Sequence, residues 1–225
     1  MYYAETIFDV AYLILVITLG AIMLLNAGGR GRYSLFGAMA VLLGAGDAFH
    51  LVPRVYSMWS PGGFEANAAA LGMGKLITSV TMTVFYVLLY YVWRMRYGKV
   101  QQKGLTFAIL GLAAVRIALC LFPQNGWLLA SAPLSWGIYR NIPFAIMGVI
   151  MIVLFYREAK AVNDTAFRHM WLAITLSFAF YIPVVLFADL FPPVGALMLP
   201  KTLAYVWIVW MGFHEMRMER TNQTE

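Results

Sequence analysis

The run YSLFGAMAVLLGAGDAFHLV, Tyr33 to Val52, carries no charged side chain until Asp47. As an α-helix, 20 residues reach about 30 Å, the thickness of the hydrocarbon core of a bilayer. Apolar and polar residues do not alternate along it, so it does not read as a strand of a membrane barrel. Gly44 and Gly46 leave room beside Asp47 for a close helix neighbour or a ligand. The run predicts a membrane-spanning helix, and the rest of the chain repeats the pattern.

Seven such runs can be drawn: Ile7–Leu25, Tyr33–Val52, Leu71–Trp93, Leu105–Phe122, Asn141–Tyr156, His169–Leu190 and Pro200–Phe213, of which the fifth and seventh are the shortest. Trp and Tyr gather at their ends, where amphipathic rings sit at headgroup level. Of 225 residues, 62% are hydrophobic and only 12% charged. Mean hydropathy is +0.76, which excludes a soluble domain with a polar exterior. The expected fold is all-α: a polytopic membrane protein, one seven-helix transmembrane domain over residues 1–225. The N-terminal MYYAETIFDV lacks a basic n-region and no A-x-A site follows the first run, so that run is expected to be a retained helix.

The basic residues give the expected orientation. Eleven of the 16 fall in the first, third and fifth connections or the tail: Arg30, Arg32, Arg94, Arg96, Lys99, Lys103, Arg157, Lys160, Arg168, Arg217 and Arg220. The positive-inside rule makes that side cytoplasmic, with the N-terminus outside and the C-terminus inside. The expected location is the bacterial cytoplasmic (inner) membrane. The other five, Arg54, Lys75, Arg116, Arg140 and Lys201, map to the opposite half beside Glu5, Asp9, Asp47, Glu65 and Asp189. Formal charge there is zero, and the whole +6 belongs to the basic side.

In an alternating bundle the polar residues of this half share one depth. Asp9 comes from the first helix, Asp47 and His50 from the second, Lys75 from the third and Arg116 from the fourth. Arg140 and Asn141 open the fifth, Asp189 lies late in the sixth and Lys201 early in the seventh. Asp47, His50 and Arg54 stand at i, i+3 and i+7, on one helix face. Ionisable groups within a bilayer face the bundle interior and pair. The competing account is snorkelling, in which long basic side chains at helix ends reach the interface with no further role. It suits Arg54, Arg140 and Lys75. Asp is too short to snorkel, and Asp47, Asp189 and Arg116 are expected to form an interior network.

A metal site needs its ligands within about 2.0–2.3 Å of one ion. His169 and His214 lie at the basic ends of their helices, a membrane away from His50, so no metal and no other cofactor is expected. The chain resembles the seven-helix ceramidase and progestin-receptor-like hydrolases in helix number and orientation, but its last helix holds only His214 and no H-x-x-x-H. Lys201 opens the seventh helix, as a retinal-binding lysine of a photoreceptor would, yet it follows Pro200 at the helix start rather than mid-membrane. An interfacial lysine paired to an acid is the simpler account.

Two carboxylates in a poorly hydrated site can act as general acid and base on a water and an ether or ester oxygen, while Lys and Arg hold a phosphate. LLGAGDAFHLVP is similar to the G-D-x-x-L segment of the lysoplasmalogenase-like membrane proteins. VVLFADLF followed by KTLAYVWIVW is similar to their second aspartate segment and last helix. That resemblance implies an integral membrane hydrolase of lysolipid vinyl ethers, with Asp47 and Asp189 matching the two family aspartates. Two departures stand out: the family usually has eight helices, and Ala188 stands where its second aspartate is preceded by Ser.

Two functional classes follow. In a lysolipid hydrolase, Asp47 and Asp189 are acid and base, His50 assists, and Lys75, Arg116, Lys201, Arg140, Asn141 and Asp9 line the headgroup site. In a non-catalytic binding, sensory or transport protein the same pocket holds an anionic ligand or protons. Expected partners are membrane lipids and a small amphiphilic or anionic ligand. No phosphate-binding glycine loop, nucleophile elbow or nucleic-acid module is present.

Overall fold

The computed structural model describes residues 2–129, 131–188 and 190–221. They form eight α-helices: α1 Tyr2–Asn26, α2 Gly31–Trp59, α3 Gly63–Ala66, α4 Ala68–Arg96, α5 Lys103–Leu121, α6 Leu134–Ala161, α7 Met170–Phe187 and α8 Met198–Thr221. Short 3-10 turns at Pro123–Asn125 and Pro192–Leu197 precede α6 and α8, and no strand occurs among the described residues. All but the single-turn α3 are long and apolar enough to cross a membrane, seven spans in all, which marks an integral membrane protein.

The spans match the seven expected runs but not their ends. The fifth and seventh runs grow into the 28-residue α6 and 24-residue α8, because a helix keeps its backbone bonds while its side chains turn polar beyond the hydrocarbon. Hydropathy alone does not register those turns. The sixth is shorter than expected, with α7 ending at Phe187 ahead of the turn opened by Pro192. Pro53, Pro143 and Pro183 lie inside helices, as membrane spans tolerate when neighbours satisfy the freed carbonyls. The Ser57 hydroxyl donates to the Pro53 carbonyl at 2.7 Å, adding a second bond one turn on in the same helix.

Each span packs on the next, and α8 returns to α1, closing a ring. Its core is carried by fully buried Phe85, Tyr86 and Leu89 of α4, Met147 and Met151 of α6, Ile174 of α7 and Ile208 of α8. The α1–α2 seam is close because Gly20 and Gly37 face each other. A Cβ on Gly37 would come within 2.9 Å of the Leu24 nitrogen.

The basic end is tied by ion pairs. Arg96 donates to both oxygens of Asp164, at 2.5 and 2.7 Å, and also to Glu215, linking α4, the α6–α7 connection and α8. Glu219 of α8 pairs with Arg30 and Arg32, and Glu158 with Lys99 at 3.0 Å. Asp164 further accepts from the Tyr97 hydroxyl and the backbone N–H groups of Ala166 and Phe167. Burial pushes its carboxyl up, but these donors and the Arg96 charge outweigh burial and hold it below the usual carboxylate range. Helix α4 ends at left-handed Gly98, whose successor Lys99 donates its N–H back to the Arg94 carbonyl. Asn163, at φ 50°, performs the same turn after α6.

Candidate functional site: a buried polar cluster at the other end

The polar residues of the opposite end stand in line with the stripes that pack the bundle. On α1 the buried residues Asp9, Tyr12, Val16, Leu19 and Met23 follow helical spacing, so an acid and a phenol extend an apolar seam. On α5 the buried stripe is Ile109, Ala113, Arg116 and Cys120, which places a guanidinium at a core position. Lys201, Ala204, Tyr205 and Ile208 form the corresponding stripe of α8. Helix geometry, not a loop, points these groups inward.

Asp47 of α2 accepts a hydrogen bond from the Tyr12 hydroxyl at 2.6 Å. Lys201 of α8 is the cation facing that carboxylate, although the two do not close to the 4.0 Å of an ion pair. Its ammonium sits 5.2 Å from the Tyr181 ring and 5.5 Å from the Tyr205 ring, an aromatic setting that favours a cation. Arg116 is 2% exposed and stacks on the Phe144 ring with its guanidinium carbon 3.3 Å from the ring centre. Neither its Nε nor its Nη1 has a hydrogen-bond partner among the described residues. The phenols of Tyr86, Tyr181 and Tyr205 surround it, and Tyr86 meets the Ser177 hydroxyl at 3.4 Å. Asp9 is 5% exposed, with Oδ2 also unpartnered.

The structure thus brings Asp9, Asp47, Arg116 and Lys201 to one end of the ring, and distributes the remaining candidates around them. His50 is one turn beyond Asp47, with Nδ1 buried and unpartnered and with Lys75, Arg54 and Lys201 as the charges nearest it. Lys75 is exposed, on the rim of the cluster rather than inside it. Arg54 pairs with Glu5 of α1 at 2.6 Å. Arg140 is engaged in the α5–α6 connection: it donates to Asn125 at 2.9 Å and lies 4.4 Å from the Trp127 ring centre. Buried Asn125 in turn caps the carbonyls of Leu119 and Phe122. Asn141 accepts from the Tyr181 hydroxyl at 2.9 Å and so anchors one wall of the cluster. Asp189 lies outside the described residues.

Gly44 and Gly46 admit helix neighbours. A side chain on Gly44 would strike Ile17 of α1 and one on Gly46 would strike Thr81 of α4. The close α2–α4 approach lets the Thr78 hydroxyl donate to the Gly46 carbonyl at 3.0 Å. His169 and His214 lie at the basic end, in ring contact with Trp207 and Trp210. Among the described residues no three metal-type ligands converge.

The phenols were not expected. Tyr12, Tyr86 and Tyr205 lie within spans rather than at their edges, and Asp9–Tyr12 and Lys201–Tyr205 stand at i, i+3 and i, i+4. That spacing is the signal that marks them as partners of the charges. The chain matches no family model, no curated protein and no solved structure.

Proposed function

We propose that this is an integral protein of the bacterial cytoplasmic membrane, N-terminus outside, whose buried cluster takes the anionic head of an amphiphile between Arg116 and Lys201. The observation that supports it is Arg116. A guanidinium stacked on one ring, with two nitrogens unsatisfied at 2% exposure, is costly to bury unless an acceptor answers it. Phosphate and carboxylate meet that need with bidentate geometry. Lys201 supplies a second cation. The orientation rests on the eleven basic residues of the opposite end.

The test is thermal unfolding in detergent with lysophosphatidylethanolamine and, separately, inorganic phosphate. The lysolipid should stabilise the wild type by several degrees, and Arg116→Met and Lys201→Gln should each remove the shift. An unchanged shift in both variants would end this assignment.

Hydrolysis of the bound amphiphile is a second reading, favoured by the 2.6 Å Tyr12–Asp47 bond, which holds a carboxylate on the side of the cluster that Lys201 faces. One carboxyl would protonate the substrate while the other takes a proton from the attacking water, and the similarity to lysoplasmalogenase-like proteins names Asp189 as the second. On this reading Asp47→Asn and Asp189→Asn each abolish release of aldehyde from a lysoplasmalogen while lysolipid binding persists. Aldehyde release by both variants would leave binding alone.

A further inference from the structure

A second site lies at the basic end, remote from the cluster. The end of α6, the turn at Asn163 and the start of α7 enclose an open pocket of about 330 Å³, lined by Tyr156, Lys160, Asn163, Asp164, Arg168 and Trp171. We infer that this pocket binds a phosphate group, with Lys160 and Arg168 as its cations.

Most acids of this end are already committed. Glu158 is paired with Lys99, Glu215 with Arg96, and Glu219 with Arg30 and Arg32. Lys160 and Arg168 are exposed, and no described carboxylate lies within 4.0 Å of either. The one acid in the lining, Asp164, is turned to Arg96, Tyr97 and two backbone N–H groups, so its charge is answered from behind and does not repel an anion. The pocket therefore presents two free positive charges. One wall is aromatic: the Tyr156 and Trp171 rings meet edge to face at 5.4 Å, and Lys160 leans over Tyr156 at 5.8 Å. Cations beside Tyr and Trp at the end of a span are the composition that receives a phosphodiester at headgroup depth, with glycerol and acyl carbon against the rings. The volume falls within the range of small-ligand pockets.

A phospholipid headgroup and free phosphate share this chemistry, and native mass spectrometry of the full chain in detergent separates them. The probes are phosphatidylglycerol, diacylglycerol lacking the phosphate, and inorganic phosphate as competitor. Phosphatidylglycerol should bind the wild type, and a Lys160→Gln/Arg168→Gln variant should bind it about 30-fold more weakly. The matched Lys103→Gln/Arg217→Gln variant, which removes two exposed cations of the same end outside the pocket, should bind like wild type. Displacement of the lipid by millimolar inorganic phosphate assigns the site to the free ion; persistence assigns it to the lipid. Equal losses in the two double variants, wild-type binding by the pocket variant, or equal binding of diacylglycerol would overturn the inference. All four changed residues are exposed, so folding is not at stake.

Discussion

The two ends of the ring use charge in opposite ways. At the basic end arginines and acids from different helices are joined: five of the six ion pairs among the described residues lie there, and Arg96 alone links three segments. At the other end only Arg54–Glu5 closes among the described residues, and Arg116, Asp9 and His50 bury atoms with no hydrogen-bond partner, whereas the basic end leaves one such atom each on Arg30, which is ion-paired, and Trp93, which is uncharged. A buried pair whose hydrogen bonds are complete holds helices in register; a buried charge without a partner costs stability and is retained for another reason. The first end reads as architecture and the second as the candidate site.

The largest expected effect tests the architectural end. Arg96→Ala leaves Asp164 and Glu215 without their cation, at side-chain exposures of 5% and 12%, and should cost about 4 kcal/mol, read as a lower melting temperature in detergent. Arg116→Met should do the reverse, raising stability by about 2 kcal/mol because it deletes an unanswered buried charge and keeps the side-chain volume. If Arg116→Met destabilises as much as Arg96→Ala, the contrast between the ends fails. Tyr12→Phe should cost about 1–2 kcal/mol by taking the donor from Asp47, and should weaken lysolipid binding less than Arg116→Met does.

Acid sharpens the comparison further. The Asp164 carboxyl is held below its usual range, so its contribution is complete above the unfolded-state pKa of about 4 and disappears as pH falls through its lower folded value. Wild type and Asp164→Asn should differ in melting temperature by a constant amount from pH 8 to 5 and converge only in stronger acid. Convergence already at pH 5 would show that Arg96 does not hold this carboxylate. The smallest effect belongs to Arg54→Gln: its side chain is 40% exposed, and removing such a pair should change stability by less than about 1 kcal/mol.

Much of this was legible in the sequence, and the misses have physical causes. Spanning helices follow from run length, because lipid enforces backbone satisfaction within each segment. Gathering the charges of Asp9, Asp47, Arg116 and Lys201 at one end follows from counting alternate spans. What was not legible was competition for each charge. Arg140 and Lys201 look alike as cations at helix starts, yet Arg140 is taken by Asn125 of a turn whose shape no run length encodes. Lys201 instead continues the buried stripe of α8. The phenols were missed because tyrosine is ordinary at membrane edges, and only its position within a span, as at Tyr12 or Tyr205, sets it apart. Helix ends were underestimated because Arg, Glu and Trp there continue the helix outside the apolar core.

The return of α8 to α1 has a consequence for biosynthesis. The α8 span completes a surface opened by α1, so Asp47 and Tyr12 wait through the insertion of the four spans α4 to α7 before Lys201 arrives. During that interval a carboxylate near the membrane boundary has one phenol and no cation. A chain halted before Met198 leaves the α1 and α7 sides of that seam open and the Asp47 carboxylate without the cation that α8 carries.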